Sequence, residues 1–246
     1  MQKSPLISVI TVCRNAADAL ERTISSVISQ TFDDFEFIIV DGASTDSTPQ
    51  ILEKYSGSVN RIISEPDHGI YDAMNKGVNA ATGRWVIFMN AADTFAAPDT
   101  MQRLAAEAMA APDDTDVIYG NVLKKGPDAQ PVLKEAEPPH RSHRMFFCHQ
   151  SALTRRSALL THPFDLRHPL SADFRLYRLL LADGRGFRKV NFPVAVFDTT
   201  GVSNSRRSAG LADNISVIME LDGLRAGLPH LMHLIPPYLI CRLRGK

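Results

Sequence analysis

Residues 85–93, Trp85-Val86-Ile87-Phe88-Met89-Asn90-Ala91-Ala92-Asp93, decide how this chain is read. An apolar run, β-branched and aromatic residues among it, stops abruptly at two polar groups separated by two alanines. A short run of that kind bounded by turn residues reads as a buried strand. A parallel strand in an open α/β sheet delivers its carboxyl end to the ligand crevice. A carboxylate there either binds a divalent cation or caps the next helix, a use that Asp99, just ahead of a helix, illustrates in this same chain. The segment alone leaves both roles open.

Upstream, strands and helices alternate. Leu6–Val12 reads as a buried strand. The helix after it, from Ala16 to Ser29, carries Ala17, Leu20, Ile24, Val27 and Ile28 on one face and Arg22, Ser25, Ser26 and Ser29 opposite. Phe35–Val40 is a second strand, ended by Asp41-Gly42; Ser44, Asp46 and Ser47 then offer caps ahead of Pro49, which suits a first helical turn. Val59–Ile63 is a third strand, and a helix over Ile70–Ala81 leads back to Trp85. Such alternation predicts an α/β domain with a mostly parallel central sheet flanked by crossover helices.

Downstream the pattern loosens. Pro98–Ala111 reads as a helix and Val117–Val122 as a strand. Lys124–Pro139, rich in proline, glycine and charge, reads as a loop without a core pattern. Phe146–Leu153 is strand-like and contains His149-Gln150. Asp173 opens a helix whose Leu176, Tyr177, Leu179, Leu180 and Leu181 cover most of its circumference, so it is expected to be buried. Phe187–Asn191 and Val194–Asp198 close the sheet, ending at Gly201-Val202-Ser203. Residues 205–246 form a helical appendage: Leu211–Leu224 is helical, and the apolar stretch Leu228–Ile240 is broken at Pro236-Pro237.

The chain has 246 residues, zero formal net charge and 22% charged residues, which fits one large domain with an appendage and gives no sign of a nucleic-acid-binding surface. Cys13, Cys148 and Cys241 show neither metal-ligand spacing nor an obvious pairing, which suits a reducing compartment. The apolar run at Leu6 is too short for a signal peptide and is followed by Arg14 and Asn15. No stretch reaches the roughly 18 apolar residues of a membrane span. The expected location is cytoplasmic. Arg242, Arg244 and Lys246 after the apolar tail suit the inner face of a cytoplasmic membrane, while a helix packed on the domain or a dimer contact is the plainer reading.

The strand ends exclude two nucleotide folds. Val12-Cys13-Arg14-Asn15 has no glycine where a dinucleotide fingerprint needs it, and no P-loop exists. Asp41 stands alone at the second strand end, where a carboxylate can accept hydrogen bonds from a base N–H or ribose hydroxyls; Asp46 is the better helix cap. Asp67, His68 and Gly69 stand at a helix N-terminus, where free backbone N–H groups favour anions. The polar face Asp72, Asn75, Lys76 and Asn79 is either solvated or part of that wall. Locally, Ser171 or Asp173 caps its helix, and His149 reads as a packed core histidine.

Taken together, ISVITVCRN, FEFIIVDGASTDST, EPDHGIYDAMNKGVNAATGRW and VIFMNAADTF, in that order, resemble the family 2 glycosyltransferases of the GT-A fold, in particular bacterial polysaccharide and colanic-acid-type members. The resemblance extends over residues 5–203. It implies residues 1–204 as a GT-A-like domain that transfers a sugar from a UDP- or GDP-linked donor with Mn²⁺ or Mg²⁺. Thr11, Cys13 and Asn15 would line the nucleotide and Asp41 would contact the base; Asp67 and Lys76 would stand near the diphosphate. Asp93 matches the last acidic residue of the family's D-x-D region and would hold the metal; Asn90, where many relatives have a carboxylate, would bind a hydroxyl or a metal-bound water. His149 and Gln150 would lie on the substrate side. Asp173 would be the catalytic base of an inverting in-line displacement onto a glycan or lipid-linked hydroxyl, with Asp165 the competing carboxylate. A polyprenyl-phosphate sugar synthase and a non-catalytic sugar-nucleotide-binding protein are the alternatives.

Overall fold

The computed structural model describes residues 4–127, 129–200 and 207–244. The Gly201-Val202-Ser203 segment, the expected domain boundary after residue 204, and Lys246 lie outside them. The first half holds β1 (Ile7–Cys13), α1 (Ala17–Ile28), β2 (Phe35–Asp41), α2 (Thr48–Lys54), β3 (Arg61–Ser64), α3 (Ile70–Ala80) and β4 (Trp85–Phe88). These four strands are parallel in the order β3-β2-β1-β4, with Ile7–Ile10 in register with Trp85–Phe88.

Every residue of β1 is buried because helices cover both faces of the sheet. Alternate side chains serve two cores. Ile7 and Val9 join Leu20 and Ile24 of α1, while Ile10 and Val12 join Met74 and Val78 of α3. Gly77 lets α3 settle on β1, since a Cβ there would lie 2.6 Å from Ile10 Cγ2.

The second half interleaves. It holds β5 (Thr94–Phe95), α4 (Thr100–Ala110), β6 (Thr115–Lys125), β7 (Val132–Lys134), β8 (Ala152–Arg155), α5 (Arg156–Thr161), α6 (Ala172–Ala182), β9 (Gly186–Asp198) and α7 (Arg207–Leu243). β8 is antiparallel between β4 and β6; β9 runs parallel to β6 and carries β5 at the edge. The mixed but mostly parallel sheet matches the expected α/β class.

Several expectations need correction. Phe146–Leu153 is not one strand: His149–Ser151 form a 3₁₀ turn and pairing begins at Ala152, because Ser151 bonds to Cys148 O and Gly120 O instead of continuing the ladder. The two closing strands are one, Gly186–Asp198, accommodated by register shifts against β6. Within Lys124–Pro139 the chain returns as β7 on β6, and Ala136 is buried against Asn121 Oδ1. β3 starts two residues later than read, at Arg61. Asp99 makes no side-chain capping bond; Thr100 Oγ1 accepts the Ala97 N–H at the start of α4 instead. The tail bends at Gly223, with φ of 67°, and Pro236-Pro237 lie within helix, so a glycine permitted positive φ makes the break that the prolines were expected to make.

α7 docks on the domain by both packing and charge. Val217, Ile218, Leu231 and Leu234 enclose Phe174 of α6. His168 is sandwiched between Asp213 and Glu220 at 2.8 Å each, and Asp222 takes Arg141 and Arg178.

Candidate active site

The carboxyl ends of β1, β4, β6 and β9 open into one cavity of about 1170 Å³. That exceeds the usual 300–1,000 Å³ of a small-molecule site, leaving room for two ligands side by side. Cys13, Asn15, Asp67, Asn90, Asp93, His149, Gln150 and Asp173 all line it. Thr11, Asp41 and Lys76, expected at the nucleotide, do not.

Each absence has a physical reason. Thr11 is fully buried and donates to Met89 O at 2.7 Å, tying β1 to the segment after β4. Asp41 is also fully buried, its carboxylate accepting from Ser44 N–H, Ser44 Oγ and Ser64 Oγ. It shapes the loop after β2 from beneath. Lys76 bonds to Pro66 O at 2.6 Å and pairs with Glu65 at 2.9 Å, bracing the segment ahead of α3.

One wall comes from the loops after β1, β3 and β4. Asn15 holds φ of 48° and accepts the Thr45 N–H at 2.8 Å. Ala43 and Ala92 also have positive φ, 54° and 87°, so all three non-glycine residues of that kind among the described residues sit in the loops beyond β1, β2 and β4. Such conformations are costly for residues with a Cβ and persist where the surroundings impose them. At Ala92 the constraint comes from α1: Thr23 Oγ1 accepts the Ala92 N–H at 3.0 Å and donates to Asp93 O at 2.8 Å, and Arg22 bonds to Ala92 O.

β5 then turns the chain onto β9, pairing Thr94 with Val196. This brings Asp93 beside Asp198, whose backbone N–H donates to Asp93 Oδ1 at 2.9 Å. Burial, with the Asp198 charge adding to it, pushes the Asp93 carboxyl up to about 7 against the opposing Asp198 N–H, Gln150 and Arg22. Sequence reading located Asp198 only as a strand end. Its nearness to Asp93 depends on a pairing of two residues that no pattern announces. Oxygen donors at Asp93, Asp198 and the unpartnered Asn90 Oδ1 match the demand of a hard divalent cation.

The opposite wall is more apolar: Ile70, Tyr71, Met145, Pro169, Leu170 and Phe174 surround Asp173. Asp173 sits in the first turn of α6, with Ser171 at the cap position but making no capping bond. Tyr71 OH and Phe174 N–H both donate to Asp173 Oδ1 at 2.8 Å, and His149 Nδ1 lies 3.7 Å from Oδ2. Burial pushes this carboxyl up, yet His149, Tyr71 and the Phe174 N–H outweigh it and hold it below its ordinary value. Burial and the adjacent carboxylate keep Tyr71 well above the usual phenol range, so it remains a donor. His149 is packed against Phe88, Phe164 and Tyr177 and its Nε2 has no partner. The packed-histidine reading describes it, and it also lines the cavity. Asp165, the competing carboxylate, is not among the residues that line the cavity; Arg167, with Arg175 beside it, holds it at about 2.

Residues 8–162 match the model of glycosyl transferase family 2. The chain belongs to that family. It is 33% identical over 175 residues to a PGL/p-HBAD biosynthesis glycosyltransferase of Mycobacterium bovis, covering 70% of this chain and 68% of the relative. Among solved structures, the glycosyltransferase superimposes on the S. aureus TarS 1-349 structure in complex with UDP-GlcNAc, with TM-score 0.67, 18% identity, and coverage of 89% of this chain and 67% of that one. A mannosyltransferase of Pyrobaculum calidifontis solved with GDP-Man and Mn²⁺ matches with TM-score 0.68 and 17% identity over 99% of this chain and 80% of its own. At such identities the likeness is one of fold, and it is the GT-A-like architecture that the sequence motifs implied. No helix among the described residues is long and apolar enough to cross a membrane.

Proposed function

We propose that this glycosyltransferase moves a sugar, with inversion, from a nucleotide-diphosphate donor to a hydroxyl of a glycan or lipid-linked acceptor in cell-surface polysaccharide synthesis. The observation that carries the reading is Asp173: a carboxylate held below its ordinary value on the wall facing the donor loops, with His149 Nδ1 3.7 Å away and no Lys or Arg paired to it among the described residues. Asp173 Oδ2 takes the proton from the acceptor hydroxyl as that oxygen attacks the anomeric carbon. Tyr71 holds the other oxygen so that the carboxylate presents one face. Cys13, Asn15 and Asp67 border the nucleotide, and Asn90 and Asp93 border the diphosphate. Gln150 lines the same cavity and bonds to Asp93. A divalent cation, Mn²⁺ or Mg²⁺, when bound at the Asp93 side, neutralises charge on the diphosphate. Complexes of structural neighbours with UDP-GlcNAc and with GDP-Man and Mn²⁺ support both the donor class and the metal.

The second half of α7 supports adsorption to a membrane. Leu224, Leu228, Met232, Ile235, Leu239 and Leu243 are exposed along it, and the chain has no carboxylate side chain after Asp222 while Arg225, Arg242, Arg244 and Lys246 follow. An apolar stripe flanked by cations fits an anionic leaflet.

The test is Asp173→Asn. The amide keeps the shape and the Tyr71 and Phe174 hydrogen bonds, so melting temperature and nucleotide-sugar binding should stay at wild-type values. Transfer should fall by about 10²–10⁴-fold, the usual contribution of a positioned base. Transfer at near wild-type rate removes Asp173 as the base and leaves a lipid-phosphate acceptor, which needs none.

A further inference from the structure

The local acidic motif at the end of β4 is thin. Asn90 and Asp93 supply one carboxylate, where a diphosphate-bound cation draws on one or two. We infer that Asp198, at the end of β9, supplies the second carboxylate of the cation site, with the side-chain oxygen of Asn90 as its third protein donor. The inference rests on the proposed cation at Asp93.

Four observations carry it. The Thr94–Val196 pairing and the Asp198 N–H to Asp93 Oδ1 bond of 2.9 Å lock the two residues together. Asp93, Asp198 and Asn90 line one cavity. Asn90 is only 8% exposed, and its side-chain oxygen has no hydrogen-bond partner among the described residues. A buried acceptor oxygen without a protein donor is met by a water or an ion, and beside two carboxylates a cation or its bound water fits it. Finally, a carboxylate offers about four lone-pair sites. On Asp198, among the described residues, Thr200 N–H and Thr200 Oγ1 take up Oδ1 and Arg22 takes up one site on Oδ2, so Oδ2 keeps capacity for a further partner.

Arg22 is the competitor, reaching Asp198 from α1 on the side away from the main cavity at 3.3 Å, with Lys125 also on that side. If Asp198 only caps the turn at Thr200 and pairs with Arg22, it contributes nothing to a metal. The two cases separate without any turnover.

The experiment is a Mn²⁺ titration followed by electron paramagnetic resonance of the free ion, with UDP and with GDP as separate arms and no sugar present. Asp198→Asn should weaken Mn²⁺ binding by roughly tenfold or more, as expected for loss of a site residue, and Asp93→Asn at least as much. In Asp198→Asn, nucleotide binding without metal and melting temperature should not change, since the amide oxygen still accepts from Thr200. Arg22→Gln serves as the second variant, because its amide can still donate to Ala92 O while the charge paired with Asp198 is removed: Mn²⁺ should bind more tightly. Wild-type affinity in both Asp198→Asn and Arg22→Gln, with loss in Asp93→Asn, overturns the role of Asp198 and leaves Asp93 in place. Wild-type affinity in all three variants, or no Mn²⁺ bound by the wild-type protein in either arm, overturns the cation reading itself.

Discussion

The two walls of the cavity are built in opposite ways. The proposed donor wall takes Cys13, Asn15, Asp67, Asn90 and Asp93 from the end of β1 and the loops after β1, β3 and β4, parallel strands of one sheet. The proposed acceptor wall gathers Tyr71, Met145, His149, Leu170, Asp173 and Ala209 from the starts of α3, α6 and α7 and the chain between β7 and β8. Tyr71 meets Asp173 across 102 residues of sequence. A wall made by strand ends is held by the sheet beneath it. A wall made by distant segments is held only by their packing on one another, so its shape depends on contacts such as the docking of α7.

The largest effect that sharpens this contrast is expected at the seam, where α1 grips the loop after β4. Thr23→Val keeps the volume but leaves the Ala92 N–H and Asp93 O without their partner. Leaving such buried groups unsatisfied costs about 1–3 kcal/mol, measurable by urea unfolding. Because Ala92 is held at positive φ by this clamp, nucleotide affinity should fall as well. A loss of stability with unchanged nucleotide binding would mean that the donor wall is rigid without α1.

A smaller effect should divide the walls by acid. Arg167 holds Asp165, and Arg175 holds Glu220, at about 2. Free carboxylates titrate near 4, so these folded values are depressed and their stabilisation is complete above about pH 5. It is lost as pH falls from about 4 toward 2. Hydrogen-exchange protection, corrected for intrinsic rates, should therefore drop in α7 before it drops in β1. Simultaneous loss would show that the helix and the sheet are one cooperative unit.

The smallest effect on the fold is expected on the outer stripe. Leu228→Ser, Met232→Ser and Leu239→Ser together should leave the melting temperature unchanged, since these side chains are exposed. The variant should no longer float with phosphatidylglycerol vesicles. If the wild-type protein never floats but is a dimer by light scattering, and the variant is a monomer, a second copy covers the stripe.

What the sequence determined by itself is the part written in local pattern. Period and strand length made β1, β2 and β4 legible, and turn residues marked their ends, so Asn90 and Asp93 could be placed at a crevice and Asp67 at a helix N-terminus. The family resemblance added Asn15, Asp173 and the His149-Gln150 pair. Tertiary structure decided what no local pattern encodes. It put Asp41 under the loop instead of in the cavity, because three hydroxyl and amide donors from Ser44 and Ser64 converge on it. It left His149 out of the strand, folded the tail at Gly223, and brought Asp198 to Asp93. Each of these follows from pairing between segments far apart in sequence, where the free energy lies in mutual burial and satisfied hydrogen bonds, and either partner read alone carries no trace of the other.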